Sequence, residues 1–260
     1  MVVPRLASAL STLPAALLTA GSLLAAPVQA AVEAPDPGAL TRPPLAGLRV
    51  AIDPGHNGGN ATHPEQLARL VPNGRGGSKA CNTTGTATPA SYPEHAAVWG
   101  VAQRAEKELR ALGASVTMTR RGDAGVGPCV DRRGRWPQRH RADVLVSLHA
   151  DGSADSAVRG AHVARSWPPL SRSQRLPSRR LAVAVLEAFK RADLVVTRSY
   201  GTAGLVRRGD LATLNHARRP AVLVELGQMT NPADARLLNS GRGQDRYAAA
   251  VVDALRRWAT

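Results

Sequence analysis

The amino-acid sequence predicts an α/β fold: one domain built on a twisted, mostly parallel sheet flanked by helices. Three observations lead there. Short apolar, β-branched runs recur at residues 48–52, 144–148 and 221–226, each closed by polar or turn residues. Between them lie longer stretches with apolar residues at three- and four-residue spacing. Strands that alternate with helices in this way form parallel sheets, and right-handed crossovers bring consecutive strand ends to one rim.

The elements follow in order. In residues 48–52, Leu48, Val50 and Ile52 alternate with Arg49 and Ala51, the pattern of a strand. Asp53-Pro54-Gly55 stops it, because Pro54 has no ladder donor and Gly55 turns sharply. His56 therefore stands at the carboxyl end of a core strand, where ligands bind in open α/β sheets. Residues 57–92 are long and glycine-rich, with one or two helical turns expected at 64–71; loops of this length are usually functional or mobile. Residues 93–113 predict a helix, with Val98, Val101, Ala102, Ala105, Leu109 and Leu112 on one stripe. Pro93 suits its first turn and Gly113 its end, which places Glu94 where the helix dipole favours a carboxylate.

A short strand is expected at 115–119 and a helix at 130–138. The buried strand at 144–148 ends in His149, and residues 160–165 suggest another strand. Residues 166–178 are basic and contain proline, a loop; a helix over 177–192 turns Leu181, Val185, Leu186 and Phe189 inward. The third apolar strand, 221–226, carries Glu225 and is stopped by Gly227. Asn231-Pro232 opens a helix to Leu238, and a last helix over 245–258 lines up Tyr247, Val251, Leu255 and Trp258. There is no internal repeat.

At 260 residues the chain suits one ordinary domain, and a hydrophobic content of 43% supports a real core. Aromatic residues make up only 3%, so Ala, Val and Leu must fill that core. The net charge of +15 fits an anionic partner or surface, whether nucleic acid, membrane or an acidic wall polymer, or else an Arg- and Ala-rich proteome composition. Nothing favours nucleic acid: there is no aromatic-interleaved basic motif and no zinc-finger spacing. Residues 1–30 read as a secretory signal, with Arg5, an apolar run at 6–26 and Val28-Gln29-Ala30 as the cleavage site. An uncleaved anchor is the alternative. After cleavage no stable membrane insertion is expected. Residues 31–44 are a Pro-rich linker, and residues 45–260 the folded domain. In an oxidising compartment the only two cysteines, Cys81 and Cys129, are expected to form a disulfide.

Three strand ends thus offer His56, His149 and Glu225, and one helix N-terminus offers Glu94. An ionised carboxylate in a run as apolar as 221–226 is costly unless it is paired or metal-bound. Two His and one Glu with an open fourth position form a hydrolytic zinc site, and a second carboxylate then serves as general acid/base. No HExxH helix is present. Spacing alone leaves open which glutamate is ligand and which is base.

The stretches VAIDPGHNGG (50–59), Glu94 after a loop, TRRGD (119–123), Arg133 ahead of ADVLVSLHAD (142–151) and RPAVLVELGQMTNP (219–232) together form a specific pattern. It resembles the zinc-dependent N-acetylmuramoyl-L-alanine amidases of bacterial cell walls (amidase type 3), over nearly all of residues 45–260. The resemblance implies a phosphorylase/hydrolase-like sheet of about six strands. It implies one Zn²⁺ held by His56, Glu94 and His149, with Glu225 as catalytic acid/base. The implied substrate is peptidoglycan or its muropeptides, cut at the amide between the lactyl group of N-acetylmuramic acid and L-alanine. The sequence departs from the commonest pattern at Asn57, Asp151 and Gln228, of which Asp151 and Gln228 are expected to bear on the substrate groove. A zinc peptidase acting within the stem peptide and a non-catalytic wall-binding protein are the competing readings, and the sequence leaves the oligomeric state open.

The remaining histidines have plainer expectations. His63, His140 and His162 read as surface or edge residues, and His95 is turned about 100° away from Glu94 along its helix. His216 is a candidate for approaching substrate. Asp53 either orients His56 or simply ends the strand. Arg-rich segments at 172–180 and 207–208 offer salt-sensitive attraction to an anionic wall, and the Cys81–Cys129 bridge is expected to pin loop 58–92 to the segment after Asp123.

Overall fold

Nearly every residue of the apolar runs is buried, alternate residues facing opposite layers, so both faces of the sheet are covered. The structure, a computed structural model, describes residues 42–260, which form one unit. The expected signal (1–30) and most of the linker (31–41) lie outside the described residues. In chain order the elements are β1 (Arg49–Pro54), α1 (Pro64–Ala68), β2 (Leu70–Pro72), β3 (Ser78–Ala80), α2 (Glu94–Ala111), β4 (Ser115–Met118), α3 (Val130–Arg139), β5 (Val144–Asp151), β6 (His162–Ser166), α4 (Leu176–Arg191), β7 (Leu205–Arg208), α5 (Ala212–His216), β8 (Ala221–Gln228), α6 (Pro232–Leu238) and α7 (Gly241–Ala259).

The six-stranded sheet runs β4-β1-β5-β8-β6-β7. The first four are parallel; β6 is antiparallel to β8 and parallel to β7. The expected single α/β domain is present. The antiparallel pair arises because β5 reaches β6 without a crossover helix, which only parallel neighbours require. Val50, Ile52, Val146, Val222 and Val224 face a core formed with α2, α4 and α7. Their neighbours Ala51, Leu145, Leu223 and Ala164 face a smaller core under α5 and the end of α3. Leu45 is buried at the start of the domain, and its N–H bonds to the Leu112 carbonyl at 2.9 Å, tying the entry to the end of α2.

Several boundaries differ from the sequence reading. β5 continues to Asp151 and β8 passes through Gly227 to Gln228, because each strand end is still paired across a local register shift. α7 begins at Gly241 rather than near 245; the Ser240 hydroxyl caps it by accepting from the Gly243 N–H at 3.0 Å. The hairpin β2–β3, the short edge strand β7 and the single turn α5 were not expected. Each is three to five residues long, too short for a periodic pattern.

Cys81 and Cys129 form the expected disulfide. It joins the end of the hairpin to the residue before α3, and the Val130 N–H bonds to the Cys81 carbonyl at 2.9 Å. With Val71 and Val130 the cysteines make a small cluster apart from the main cores. Closing a loop of 48 residues is worth about 4 kcal/mol in the unfolded chain. Replacing both cysteines with serine is therefore expected to lower the melting temperature by roughly 10 °C. Limited proteolysis should then cut first between residues 57 and 92. An unchanged melting temperature in a calorimetric scan would mean the loop is held without the bridge. No helix among the described residues is long and apolar enough to cross a membrane.

Candidate metal centre and acid/base site

β1, β5 and β8 lie side by side, so their carboxyl ends present His56, His149 and Glu225 along one rim. His149 and Glu225 are direct neighbours in register. α2 begins at that rim, and Glu94, its first residue, reaches in from the opposite layer. One ligand atom each from His56, Glu94 and His149 lies within 4.8 Å of the others. Glu94 Oε1 is 3.2 Å from His56 Nε2 and 3.0 Å from His149 Nδ1, and the two rings stand edge to face with centroids 4.8 Å apart.

The surroundings fix these groups. His56 Nδ1 is 2.9 Å from the Thr83 carbonyl, to which it donates, leaving the Nε2 lone pair facing Glu94 and His149. Glu94 Oε1 accepts from the Ala150 N–H at 2.9 Å and Oε2 from the Thr86 N–H at 2.9 Å. Segment 83–86 of the long loop is thus part of the site. It comes this close because Gly85 has φ +83°: a Cβ there would lie 2.8 Å from Glu94 Oε2 and 2.9 Å from the His56 ring. Gly55 works similarly, since a Cβ would run into the His149 ring. Sequence reasoning missed Thr83 and Thr86: their main-chain groups leave no signature, and the Thr86 hydroxyl, within hydrogen-bonding distance of Glu94 Oε2 at 3.1 Å and the Ala150 carbonyl at 2.7 Å, is one of several threonines in an irregular loop.

His56 itself has φ +56°, an uncommon conformation for a residue with a side chain. Arg133 holds it there. Its guanidinium, 98% buried, donates to the carbonyls of His56 at 3.0 Å, Pro54 at 2.7 Å and Pro128 at 2.8 Å, and to Asn57 Oδ1 at 2.9 Å. It also pairs with Asp53 Oδ1 at 2.8 Å. Asp53 accepts further bonds from the Thr119 hydroxyl at 2.5 Å and the Ser147 hydroxyl at 2.7 Å. Asp53 therefore does neither thing expected of it: it does not touch the His56 ring, and it anchors Arg133. Burial alone would raise the Asp53 carboxyl, but Arg133 and the two hydroxyls hold it below its ordinary value.

The two glutamates are driven apart. Burial opposes ionisation of Glu94, yet His149 and His56 hold its carboxyl well below the usual range. Burial, followed by the charges of Glu94 and Asp151, pushes Glu225 well above it. Glu225 Oε2 is buried without a hydrogen-bond partner among the described residues. A cavity of about 220 Å³ lies against His56, His149 and Glu225, with an apolar wall from Val130, Leu211 and Leu223. A more open groove along Thr84, Thr86, Ala150 and Asp151 meets it at the same groups.

The other histidines sort as follows. His63 and His140 are exposed, and His95 faces Asp123 at 2.7 Å, away from the triad. His216 binds the Pro72 carbonyl at 2.8 Å, supporting the hairpin rather than approaching the cavity. Of the two departures expected to bear on the groove, Asp151 lines it, whereas Gln228 is wholly buried. His162 corrects the surface reading: it is 95% buried on β6, directly opposite Glu225, against Tyr200. The antiparallel turn of β6, which the sequence did not reveal, brings it inside.

Burial, which outweighs the opposing pull of Asp151, pushes His162 down to about 4. An unfolded histidine titrates near 6.5. Between these values the unfolded chain binds a proton that the folded chain refuses, so stability is full above about pH 6.5 and falls towards pH 4. The expected loss is about 3 kcal/mol. His162→Gln should flatten that part of the profile. Urea midpoints at pH 7.5, 6 and 5 for both proteins measure it, and parallel profiles would mean that His162 accepts a proton while folded.

Fold and site together describe an α/β domain with a two-histidine, one-carboxylate centre beside a second carboxylate, the arrangement of a metal-dependent hydrolase. The N-acetylmuramoyl-L-alanine amidase model (Amidase_3) matches residues 50–257. The Mycobacterium tuberculosis N-acetylmuramoyl-L-alanine amidase Rv3717 is 43% identical over 208 residues, covering 80% of this chain and 85% of that protein. The crystal structure of the N-acetylmuramyl-L-alanine amidase Ami1 from Mycobacterium smegmatis superposes with a TM-score of 0.79 at 41% identity, covering 82% of this chain and 97% of that one. The apo form of Ami1 from Mycobacterium abscessus gives 0.80 at 40% identity, covering 83% and 100%. The chain belongs to the N-acetylmuramoyl-L-alanine amidase family, amidase type 3.

Proposed function

We propose that the protein is a zinc-dependent peptidoglycan hydrolase that cuts the amide between the lactyl group of N-acetylmuramic acid and L-alanine of the stem peptide. His56, Glu94 and His149 hold one Zn²⁺, and Glu225 is the acid/base. The observation that carries this reading is the pairing of a convergent His-Glu-His triad with an oppositely perturbed glutamate beside it. Two neutral nitrogens and one ionised oxygen suit zinc, and three protein ligands leave a position open for water or substrate. When bound, the ion lowers the pKa of a water molecule to near 7 and polarises the amide carbonyl.

The chain's own groups do the rest. Thr83 fixes the His56 tautomer, and the Ala150 and Thr86 N–H groups orient Glu94. Glu225, whose raised pKa makes its carboxylate the stronger base, in its ionised form takes a proton from the attacking water and, now neutral, returns it to the departing L-alanine nitrogen. The split between the two glutamates supports Glu94 as ligand and Glu225 as base. Residues 1–30 act as an export signal and residues 31–44 as a linker, so that residues 45–260 meet the wall in the periplasm, in the cell wall or outside the cell.

The test is metal content and muropeptide turnover measured on the same samples. One zinc per chain in the wild type, no zinc in His149→Ala, and turnover lost on chelation and restored by zinc are expected. Products weighed by mass spectrometry should be sugar and intact stem peptide. A cleaved stem would instead favour a peptidase. Wall binding without zinc or turnover would leave a binding protein.

A further inference from the structure

Away from the metal-centre rim, three arginines meet with no acid between them. Arg165 on β6 and Arg207 on β7 are direct neighbours in register and lie on the face of the sheet that carries α4. His162, three residues before Arg165, lies on the other face with Glu225. Both guanidiniums stack on Trp167, with Arg165 Cζ 4.8 Å and Arg207 Cζ 4.5 Å from its ring centroid. Arg179, in the first turn of α4, is the third member.

Arg165 is the telling residue. It is 96% buried, and its Nε has no hydrogen-bond partner among the described residues. A buried cation normally has a carboxylate beside it. The charged neighbours of Arg165 are Arg207 and Arg179, both cations. Stacking on Trp167 offsets part of this cost but neutralises no charge. Arg207 and Arg179 are exposed, so the cluster opens to solvent on one side. The positive end of the α4 dipole adds to the same field.

We infer that Arg165 and Arg207, stacked on Trp167, form with Arg179 beside Arg165 an oxyanion-binding site on the opposite face of the sheet from Glu225. Guanidinium forks match carboxylates and phosphates alike, and both occur on anionic polymers. A polymer gripped here would hold the protein on its substrate without occupying the cleft; that consequence rests on the proposed function, whereas the ion site does not.

Titrating the purified protein with inorganic phosphate at constant ionic strength, with chloride as the control, tests the site by tryptophan fluorescence. A saturable change is expected that disappears in Trp167→Phe and weakens by at least about tenfold in the Arg179→Gln/Arg207→Gln double variant. No saturable change, or the same affinity in the double variant, would overturn the inference. Retention on purified cell walls identifies the source. Retention that depends on the two arginines and is lost when phosphodiester polymers are stripped with hydrofluoric acid assigns phosphate. Retention that survives stripping and still depends on them assigns carboxylates. Retention equal in wild type and double variant would overturn the polymer role. Muropeptide turnover is expected to be unchanged in the double variant, so failure here is separable from failure of the catalytic reading.

Discussion

Replacing Glu225 with glutamine is expected to lower muropeptide turnover by about 10²–10⁴-fold while leaving the zinc content at the wild-type value. The amide keeps the shape of the carboxyl but neither takes nor returns a proton at neutral pH. Stability should not suffer, because the folded protein already disfavours the charged form of Glu225 by burial and by the neighbouring Glu94 and Asp151 charges. A melting temperature equal to or above the wild type is therefore part of the expectation. Glu94→Gln should behave in the opposite way. It removes the carboxylate that sits within 3.2 Å of both imidazoles, and zinc should be lost together with turnover. Zinc lost from the Glu225 variant instead would exchange the two roles.

The largest expected effect on stability lies one layer below the site. Arg133→Met should cost about 3–5 kcal/mol, because it leaves Asp53 ionised and fully buried without its partner. It also removes the donors that hold the Pro54, Pro128 and His56 carbonyls. Asp53→Asn should cost less, since those carbonyls still engage the guanidinium, and the double variant should recover part of the loss of Arg133→Met. The Asp53 contribution also has a pH sign. Its carboxyl is held below the ordinary value, so the stabilisation is present above about pH 4 and is lost as pH falls through the folded-state value. Guanidinium midpoints for the four proteins at pH 7 and pH 3.5 would measure both effects. Equal midpoints for wild type and Arg133→Met at pH 7 would mean that water replaces the guanidinium.

The strands that carry the site were legible because each is an apolar run long enough to show its period and closed by a polar residue. His56, His149 and Glu225 stand out for that reason. Glu94 was legible from helix-end chemistry: proline before it and a regular stripe after it. The illegible parts share a different physical origin. Thr83 and Thr86 contribute main-chain groups from an irregular loop, where residue type says little about which way a carbonyl points. The pairing of Asp53 with Arg133 spans 80 residues and connects a strand end to a helix, a distance no local pattern reports. His162 was misplaced because its burial follows from the antiparallel direction of β6. The charges at residues 172–180 and 207–208 read as one diffuse basic surface until the register of β6 with β7 set Arg207 beside Arg165.

The triad also sets an order of events in time. Glu94 and His149 are 55 residues apart, and His56 lies farther still from His149. Contacts at such separations form late in folding, after the loop-closure entropy has been met by packing of the intervening sheet and helix. A nascent or partly folded chain that has not yet seated β5 beside β1 has histidines and carboxylates but no centre. Hydrolytic capacity would thus appear only with the completed native core, and a cell could carry the unfinished chain without exposing its own wall to it.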